Sequence, residues 1–422
     1  MKKWISLILA CMLLIAAIPM AMAESTEEAE PIVIKEGYNV TFDPNVSTGY
    51  VVTWGYKNDN ATSVTLMSQG MYSDEDKTDP NATGDIEPEN YQKGNWCYPG
   101  SMISREMTKD EETGLWTISI PLGSGMFTYL YMVTEGENTY TCPDPANPQM
   151  WRNESEQPYS QVYVKYDSKY HTKNLDVMIP RTDGKTGTLE YIEYPTMNAD
   201  YPTRYAGVYL PYGFDADREI PYKVLVLIHG TGGTDSEWMC GGNAPHIMDN
   251  LIAEGYVEPM IVVSMNMYEN NAETRRSYLD ADTINFPALL DCLLPYLVEN
   301  YNVSTRASDR AVMGLSQGCS FTTYLYYKHP TEFKYFGFIS GGFTSKDEIN
   351  AQNILNSDDS FKYPTIMLGA GYQDMAMSGS EKMRAMFDEA GISYIVCDVE
   401  GNHAMPVWND QLIYLVKNIL WK

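Results

Sequence analysis

The segment Gly314-Leu-Ser316-Gln-Gly318 places a serine between two glycines. A short apolar run from Arg310 precedes it, and a helix-like segment from Phe321 to Tyr327 follows it. A sharp turn from strand to helix lifts a serine hydroxyl out of a sheet, and the helix N-terminus favours the negative charge that develops there. Glycine on both sides lets the backbone turn without a Cβ clash. The pattern predicts that Ser316 is a nucleophile, which needs a base, an acid and an oxyanion site elsewhere in the chain.

The general base must come from five histidines. His403 lies in Gly401-Asn-His403, on a glycine-containing loop after the last predicted strand and before the last predicted helix. When a serine sits on such an elbow, the triad follows the chain order nucleophile, acid, histidine. The other four histidines fit this order poorly, because three precede Ser316 and one closes a helix: His171, His229, His246 and His329. His403 is therefore the predicted base.

The predicted acid is Asp374, on the glycine-rich loop Gly369-Ala-Gly371-Tyr-Gln-Asp374 that follows an apolar strand. A buried carboxylate at this place would fix the tautomer of the histidine and stabilise its protonated form. Asp398 and Glu400 lie within or just past the last predicted strand, and they remain alternatives.

The oxyanion site needs two backbone N–H groups. One of them is expected from Gln317, the residue after the nucleophile. The other is expected from the loop His229-Gly-Thr231-Gly-Gly, which follows the apolar run Val224–Ile228, with Thr231 the first choice and Gly232 the second. No Lys-Ser or Lys-Thr pair follows these glycines, which excludes a phosphate-binding loop.

The elements that must position these residues alternate between apolar runs and helical stretches from Arg204 onward. Several runs are apolar on both faces, as strands buried between two helix layers are. Alternation of this kind predicts an α/β domain with a mainly parallel, doubly wound sheet. We expect it to span residues 158–422, with antiparallel strands near Gln161–Lys165 and Gly187–Tyr194 leading into the sheet.

Residues 31–157 carry a different pattern, of short strands with one apolar face and polar turns rich in Asn, Asp, Gly and Pro. This pattern predicts a small β-sandwich. Trp116 is expected in its core. Four other aromatic residues are candidate stacking platforms for a sugar: Trp54, Trp96, Tyr98 and Trp151. The loop Asn95-Trp-Cys-Tyr-Pro99 could reach the mouth of the catalytic site.

Residues 1–23 have the features of an export leader, with two lysines, an apolar segment and a small-residue cleavage site at Ala23. A lipid-anchoring cysteine at Cys11 is the weaker alternative. Residues 24–30 form an acidic stalk. The sequence thus predicts a secreted protein.

A net charge of −27 argues against nucleic acid and anionic membrane surfaces as partners. A neutral polysaccharide or a small ester fits this charge better. The cysteines include no Cys-x-x-Cys pair and no zinc-type spacing with histidine, so we expect no metal. Cys97 and Cys142 form the one candidate disulfide within the N-terminal half.

A set of short motifs is spread over the chain from about Tyr205 to Lys422: His229-Gly230, Asp235-Ser-Glu-Trp238, Ile247 to Gly255, Pro259 to Val263, Gly314 to Gly318, and Gly401-Asn-His403 with Trp408. On these motifs rests a resemblance to feruloyl esterases of carbohydrate esterase family 1. It implies an α/β-hydrolase fold, places the triad on Ser316, Asp374 and His403, needs no cofactor, and makes Trp238 and Trp408 candidates for substrate contact. Gln317 and Cys319 depart from the usual Met and Gly, so the acyl pocket is expected to be more polar.

Four segments of the N-terminal half form a series of turns and strands: Met107 to Asp110, Gly114-Leu-Trp116, Gly125 to Tyr131 and Asp144 to Pro148. In these segments the N-terminal half resembles the early-set immunoglobulin-like modules grouped with the family 48 carbohydrate-binding modules. The pairing of such a module with the esterase-like half is similar to exported esterases of plant polysaccharides and to enterochelin-type siderophore esterases.

Together, these features predict an exported serine esterase that cleaves hydroxycinnamoyl or acetyl esters on xylan-type polysaccharides. A siderophore esterase and an acyltransferase on the same fold are alternatives. A non-catalytic polysaccharide-binding protein is a further alternative from another class.

Overall fold

The computed structural model describes residues 28–152, 157–199, 202–267, 285–342, 355 and 359–422. The predicted leader with Cys11, and residues 24–27 of the acidic stalk, lie outside these residues. Within the described ranges, no helix is long and apolar enough to cross a membrane.

Antiparallel strands form the first part of the chain, in sheets ordered β1-β2-β8-β7 and β10-β9-β3-β6, with β11 also paired to β9. These strands are β1 Gly37–Phe42, β2 Tyr50–Tyr56, β3 Ser63–Gln69, β4 Tyr72–Ser73, β5 Trp96–Cys97, β6 Met102–Glu106, β7 Thr108–Lys109, β8 Trp116–Pro121, β9 Gly125–Glu135, β10 Asn138–Cys142 and β11 Ser160–Val164. Alternate residues of the two large sheets pack into one core, which includes Val52, Leu66 and Phe127. We call this part the first domain.

Two details of the first domain differ from the sequence-based expectations. Trp116 is in the core as expected, but Trp54 is also completely buried, so it offers no exposed face for stacking. Cys97 and Cys142 are both free thiols, which contradicts the candidate disulfide. Cys142 lies instead 3.7 Å from the hydroxyl of Tyr56.

The first domain extends past the expected boundary at residue 157. Strand β11 pairs with β9, from Ser160 opposite Tyr129 to Val164 opposite Gly125. The expectation that this segment leads into the second sheet is therefore wrong. Alternating apolar residues indicate a strand but do not say which sheet it joins. Here Val162 and Val164 pack into the core of the first domain.

The second sheet has eight strands in the order β12-β13-β15-β14-β16-β17-β18-β19. The strands are β12 Thr188–Pro195, β13 Thr203–Leu210, β14 Val224–Ile228, β15 Ile261–Met265, β16 Arg310–Leu315, β17 Tyr335–Ile339, β18 Thr365–Gly369 and β19 Ile395–Val396. The pairs β12–β13 and β13–β15 are antiparallel, and the pairs from β15 to β19 are parallel. The predicted mainly parallel sheet is confirmed.

Helices cover both faces of this sheet. They are α1 Ala244–Ala253, α2 Leu294–Tyr301, α3 Gln317–Lys328, α4 Met377–Ala390 and α5 Met405–Asn418. Short 3-10 helices span Pro88–Asn90, Asp176–Met178, Ala307–Asp309 and Asp359–Lys362, and π-helical turns span Glu237–Gly241 and Ala288–Leu293. The helices α2, α3 and α4 pack on one face and α1 and α5 on the other. Alternate residues of β14 accordingly belong to two different cores. This arrangement is the predicted doubly wound α/β domain.

Candidate active site

Ser316 sits at the apex of the turn between β16 and α3, with φ 52° and ψ −117°. A non-glycine residue with positive φ is strained, and such strain is kept where the surrounding structure holds it in place. The flanking glycines provide the space for this turn. A Cβ on Gly314 would lie 2.1 Å from the Gly318 carbonyl oxygen, and a Cβ on Gly318 would lie 2.4 Å from the His229 carbonyl oxygen. Both positions therefore require glycine.

A hydrogen-bond chain joins the three residues that the sequence predicts as a triad. The Nε2 atom of His403 lies 2.9 Å from the Ser316 hydroxyl oxygen. Its Nδ1 atom lies 2.8 Å from Oδ1 of Asp374. The three residues come from the ends of β16 and β18 and from the loop after β19, so the carboxyl edge of the parallel sheet gathers them. The Asp374 side chain is fully buried, whereas that of His403 is 20% exposed toward the solvent.

The surroundings of Asp374 keep it ionised. Burial alone would raise its pKa, but hydrogen bonds from His403 and from the backbone N–H of Ala376 outweigh that effect and lower the pKa. The Ala376 N–H donates to Oδ1 over 2.7 Å. An anionic acid at this place holds the Nδ1 hydrogen of the imidazole and leaves Nε2 to face the serine.

The competing acids have other partners. Asp398 forms an ion pair with Arg384, with Nη1 2.9 Å from Oδ2. Glu400 pairs with Lys173 over 2.9 Å. Neither carboxylate is hydrogen-bonded to His403, so the structure brings together the predicted set and not these alternatives.

The other histidines have structural environments. Burial lowers the pKa of His229 to about 4, and the ring accepts a hydrogen bond from the Met267 N–H over 3.0 Å. Burial also lowers the pKa of His246 to about 4. His171 is buried in the first domain against the Thr48 carbonyl, and His329 packs edge-on against Phe286. Among the described residues, no group of three or more His, Cys, Asp or Glu side chains is arranged to hold a metal ion.

The glycine-rich loop after β14 lies beside the serine. A Cβ on Gly230 would be 3.8 Å from the Ser316 hydroxyl oxygen. The Gly230 N–H itself donates to Oε2 of Glu237 over 3.3 Å. Thr231 is the next residue on this loop and is exposed, and Gln317 is the first residue of α3. The loop and the helix N-terminus thus both lie next to Ser316.

The two tryptophans expected to contact substrate are buried. Trp238 has no exposed surface, and its indole N–H donates to the Ile228 carbonyl over 3.1 Å. Trp408 is 7% exposed, packs edge-on against the His403 ring at 5.1 Å between ring centroids, and donates to the Ser340 hydroxyl over 2.8 Å. These positions contradict a direct role in substrate contact. Both side chains instead support the loops around the serine.

Ser340 and Gln373 are site residues that the sequence reasoning missed. Ser340 directly follows the parallel strand β17, as Ser316 follows β16, and the rule that active residues lie at the carboxyl ends of such strands could have found it. Like Ser316, it has a positive φ, of 51°. Gln373 precedes the predicted acid, but its contacts reach the first domain and nothing in the local sequence indicates them.

A protein-family model covers most of the second part of the chain. The model of a family described as "Putative esterase" matches residues 197–419. This span is more than half of the chain, so the chain belongs to this esterase family. The class of protein defined by the fold and the site is therefore that of the carboxylic ester hydrolases.

Similar proteins carry related names. A curated "Endo-1,4-beta-xylanase/feruloyl esterase" of Xylanibacter ruminicola is 32% identical over 181 residues, which is 42% of this chain and 25% of the relative. The aligned region thus spans about a quarter of that protein's length.

Among solved structures, a ferulic acid esterase matches with a TM-score of 0.50 at 20% identity, over 56% of this chain and 99% of its own. The enterobactin esterase FES from Shigella flexneri matches with a TM-score of 0.57 at 16% identity, over 92% of this chain and 96% of its own. At these identities the likeness shows the fold.

Proposed function

We propose that the chain is an exported serine esterase that hydrolyses hydroxycinnamoyl or acetyl esters on plant polysaccharides such as xylan. The observation that carries the proposal is the hydrogen-bond chain from Asp374 through His403 to Ser316. The resemblance of residues 1–23 to a leader supports export.

In the first half-reaction, His403 takes the proton of Ser316 through Nε2 while the serine oxygen attacks the ester carbonyl. The backbone N–H groups of Gln317 and Thr231 stabilise the resulting oxyanion, each worth roughly 10²–10³ in rate. Asp374 remains ionised and stabilises the imidazolium. When the tetrahedral intermediate collapses, His403 gives its proton to the leaving alcohol, and an acyl-enzyme remains.

In the second half-reaction, His403 removes a proton from water, and the hydroxide oxygen attacks the acyl carbon. Collapse of this intermediate returns the proton to Ser316 and releases the carboxylic acid. No metal or organic cofactor enters either half-reaction. An alcohol that replaced water at this step would make the protein an acyltransferase.

The substrate assignment rests on the relative's name and on the first domain. The curated relative is a xylanase and feruloyl esterase by its name. Trp96 and Tyr98 of the first domain are partly exposed, with ring centroids 5.5 Å apart. Trp96 also lines a cavity of about 720 Å³ between the domains, whose other wall includes Glu400 and Val407. Ser316, Asp374 and His403 do not line this cavity, so it lies beside the proposed triad and not over it. We assign the sugar part of a polymeric substrate to this region.

The test compares methyl ferulate with acetylated xylan and feruloylated arabinoxylan, using the chain from Glu24 onward and its Ser316→Ala variant. Ferulate release that disappears in the variant supports both the nucleophile and the aryl ester. Acetate release alone keeps the mechanism and changes the substrate. Hydrolysis that persists in the variant contradicts the role of Ser316, and glycan binding without any hydrolysis would indicate a binding protein.

A Trp96→Ala variant tests the sugar assignment separately. It should release less ferulate from polymeric arabinoxylan and retain the wild-type rate on methyl ferulate. Equal loss on both substrates would contradict the assignment.

A second candidate is the hydrolysis of a siderophore trilactone. The observation that favours it is the fold likeness to an enterobactin esterase, which extends over 92% of this chain and so over both domains. Product analysis with a tricatecholate trilactone would decide between the two. Faster cleavage of the trilactone than of methyl ferulate would favour the second candidate.

A further inference from the structure

The first domain packs directly against the loop that carries His403. A Cβ on Gly401 would come within 2.8 Å of Cγ of Pro99. A Cβ on Gly100 would come within 1.9 Å of the Asn402 side-chain nitrogen. The end of the loop Asn95–Pro99, together with Gly100, thus forms a wall against the two residues that precede His403.

Gln373 connects this wall to the acid loop. Its backbone N–H donates to the Gly401 carbonyl over 3.0 Å, and its Oε1 accepts from the Gly401 N–H over 2.7 Å. The side-chain Nε2 donates to the carbonyl oxygens of Lys77, over 3.2 Å, and Asp79, over 2.5 Å. One partly buried amide side chain therefore bonds the histidine loop at one end and the first domain at the other.

The turn that accepts these hydrogen bonds is itself well ordered by local contacts. Oδ1 of Asp76 accepts from the Thr78 N–H over 2.9 Å and from the Thr78 hydroxyl over 2.8 Å. The Asp79 N–H donates to the Asp76 carbonyl over 2.8 Å. The first domain thus presents two carbonyl groups in a fixed direction, and it presents them to a residue next to Asp374.

We propose that Gln373 is a positioning residue through which the first domain holds the Asp374–His403 pair aligned with Ser316. The proposal rests on the proposed triad. Gln373 is bonded covalently to Asp374, and Gly401 lies two residues before His403, so a shift of this amide moves acid and base together. A displacement of about 1 Å can cost roughly 10²-fold in rate, so small shifts are measurable.

The experiment uses Gln373→Met, which keeps the length of the side chain and removes its amide, and Asp76→Ala, which loosens the accepting turn from within the first domain. The matched control is Asp110→Ala. Oδ1 of Asp110 accepts from the Thr113 N–H over 2.7 Å and from its hydroxyl over 2.6 Å, in a similar turn of the same domain.

With p-nitrophenyl acetate as substrate, we expect kcat to fall about 10-fold for Gln373→Met and about 3-fold for Asp76→Ala, with KM within about 2-fold. The double variant should resemble Gln373→Met alone, because coupled residues are not additive. Asp110→Ala should match the wild type. An unchanged kcat in folded Gln373→Met, or independent effects that multiply in the double variant, would overturn the proposal.

Hydrogen–deuterium exchange of residues 398–404 gives a readout that needs no activity. Exchange should be faster in Gln373→Met and Asp76→Ala than in Asp110→Ala and the wild type. If the triad assignment fails, this difference remains, so the two failures can be told apart. Equal exchange in all four proteins contradicts the coupling, and Asp76→Ala carries the test if Gln373→Met does not fold.

Discussion

The two domains bury their strands in different ways. In the first domain, β9 alternates buried and less buried residues along most of its length, whereas all five residues of β14 in the second domain are buried. Neighbouring antiparallel strands end at opposite edges, so their ends do not gather side chains. The parallel strands β16, β17 and β18 end at one edge, where Ser316, Ser340 and Asp374 meet. Parallel strands therefore bring the candidate catalytic residues to one edge of the sheet, and the first domain packs against a loop at that edge.

The largest effect should come from the serine itself. Ser316→Ala removes the proposed nucleophile and should lower kcat by about 10⁴-fold or more, with the unfolding midpoint little changed. The control is Ser320→Ala, one turn along α3, whose hydroxyl donates to the Gly342 carbonyl over 3.3 Å. Its kcat should stay near the wild-type value. Steady-state hydrolysis of p-nitrophenyl acetate measures both, and equal losses would contradict the assignment.

Asp374→Asn comes next. The amide cannot hold the imidazolium as the carboxylate does, so kcat should fall roughly 10³–10⁴-fold. Asp398→Asn is the matched control, because this carboxylate lies at the same sheet edge but pairs with Arg384. The control should lower the melting temperature and leave kcat near the wild-type value. A larger kcat loss in Asp398→Asn would transfer the role of acid to that residue.

A smaller effect compares two buried tryptophans, one in each domain. The Trp238 indole N–H donates to the Ile228 carbonyl, whereas the buried Trp54 N–H has no partner among the described residues. Both are completely buried, so Trp→Phe removes a similar volume. Trp238→Phe should cost about 1–3 kcal/mol more in the free energy of unfolding, because it leaves a buried carbonyl unpaired.

Calorimetry is the appropriate measurement, because two domains can unfold in separate transitions. Trp54→Phe should shift the transition of the first domain and Trp238→Phe that of the second. Equal costs at the two sites would contradict the comparison.

The smallest effect concerns the pH dependence of stability at Glu237, beside the glycine-rich loop. Burial raises its pKa to about 7 from an ordinary value of 4.5. Because the folded state retains the proton, ionisation in the unfolded state lowers stability as the pH rises from 4.5 to about 7. Asp374 has the opposite sign, since its lowered pKa gives stability that is lost only as the pH falls through that folded pKa, below 3.8.

Glu237→Gln removes the unfavourable ionisation and keeps an acceptor for the Gly230 N–H. The variant should gain on the order of 1–2 kcal/mol relative to the wild type above pH 7 and little at pH 4.5, after a discount for partial exposure. Thermal unfolding at both pH values measures the difference. A gain that is independent of pH would point to packing instead.

The rule that active residues lie on loops at the carboxyl ends of parallel strands predicts much of the site from the sequence. It places Ser316, Asp374 and His403 on loops at one sheet edge, because glycine clusters and buried runs mark those loops. The family resemblance suggested Trp238 and Trp408 as substrate contacts, and both are buried, since a tryptophan near a motif can support a loop from below as readily as it can face a ligand. The sequence predicts a strand at Gln161–Lys165 but assigns it to the wrong sheet, and it gives no sign of the Gln373 contacts, because in both cases the partners lie far away in the sequence. Local patterns identify an element, but they do not identify the distant element that it packs against.

The wide sequence separation of the Gln373 contact has a consequence for the order of folding. The hydrogen bond from Gln373 to Lys77 joins positions 296 residues apart. Contacts of such high sequence separation close late, and N-terminal domains generally fold first during synthesis. The turn around Lys77 can therefore fold before the loop that carries His403 packs against it. This contact should therefore form last during refolding. Esterase activity should recover only after Trp54 and Trp116 have become buried.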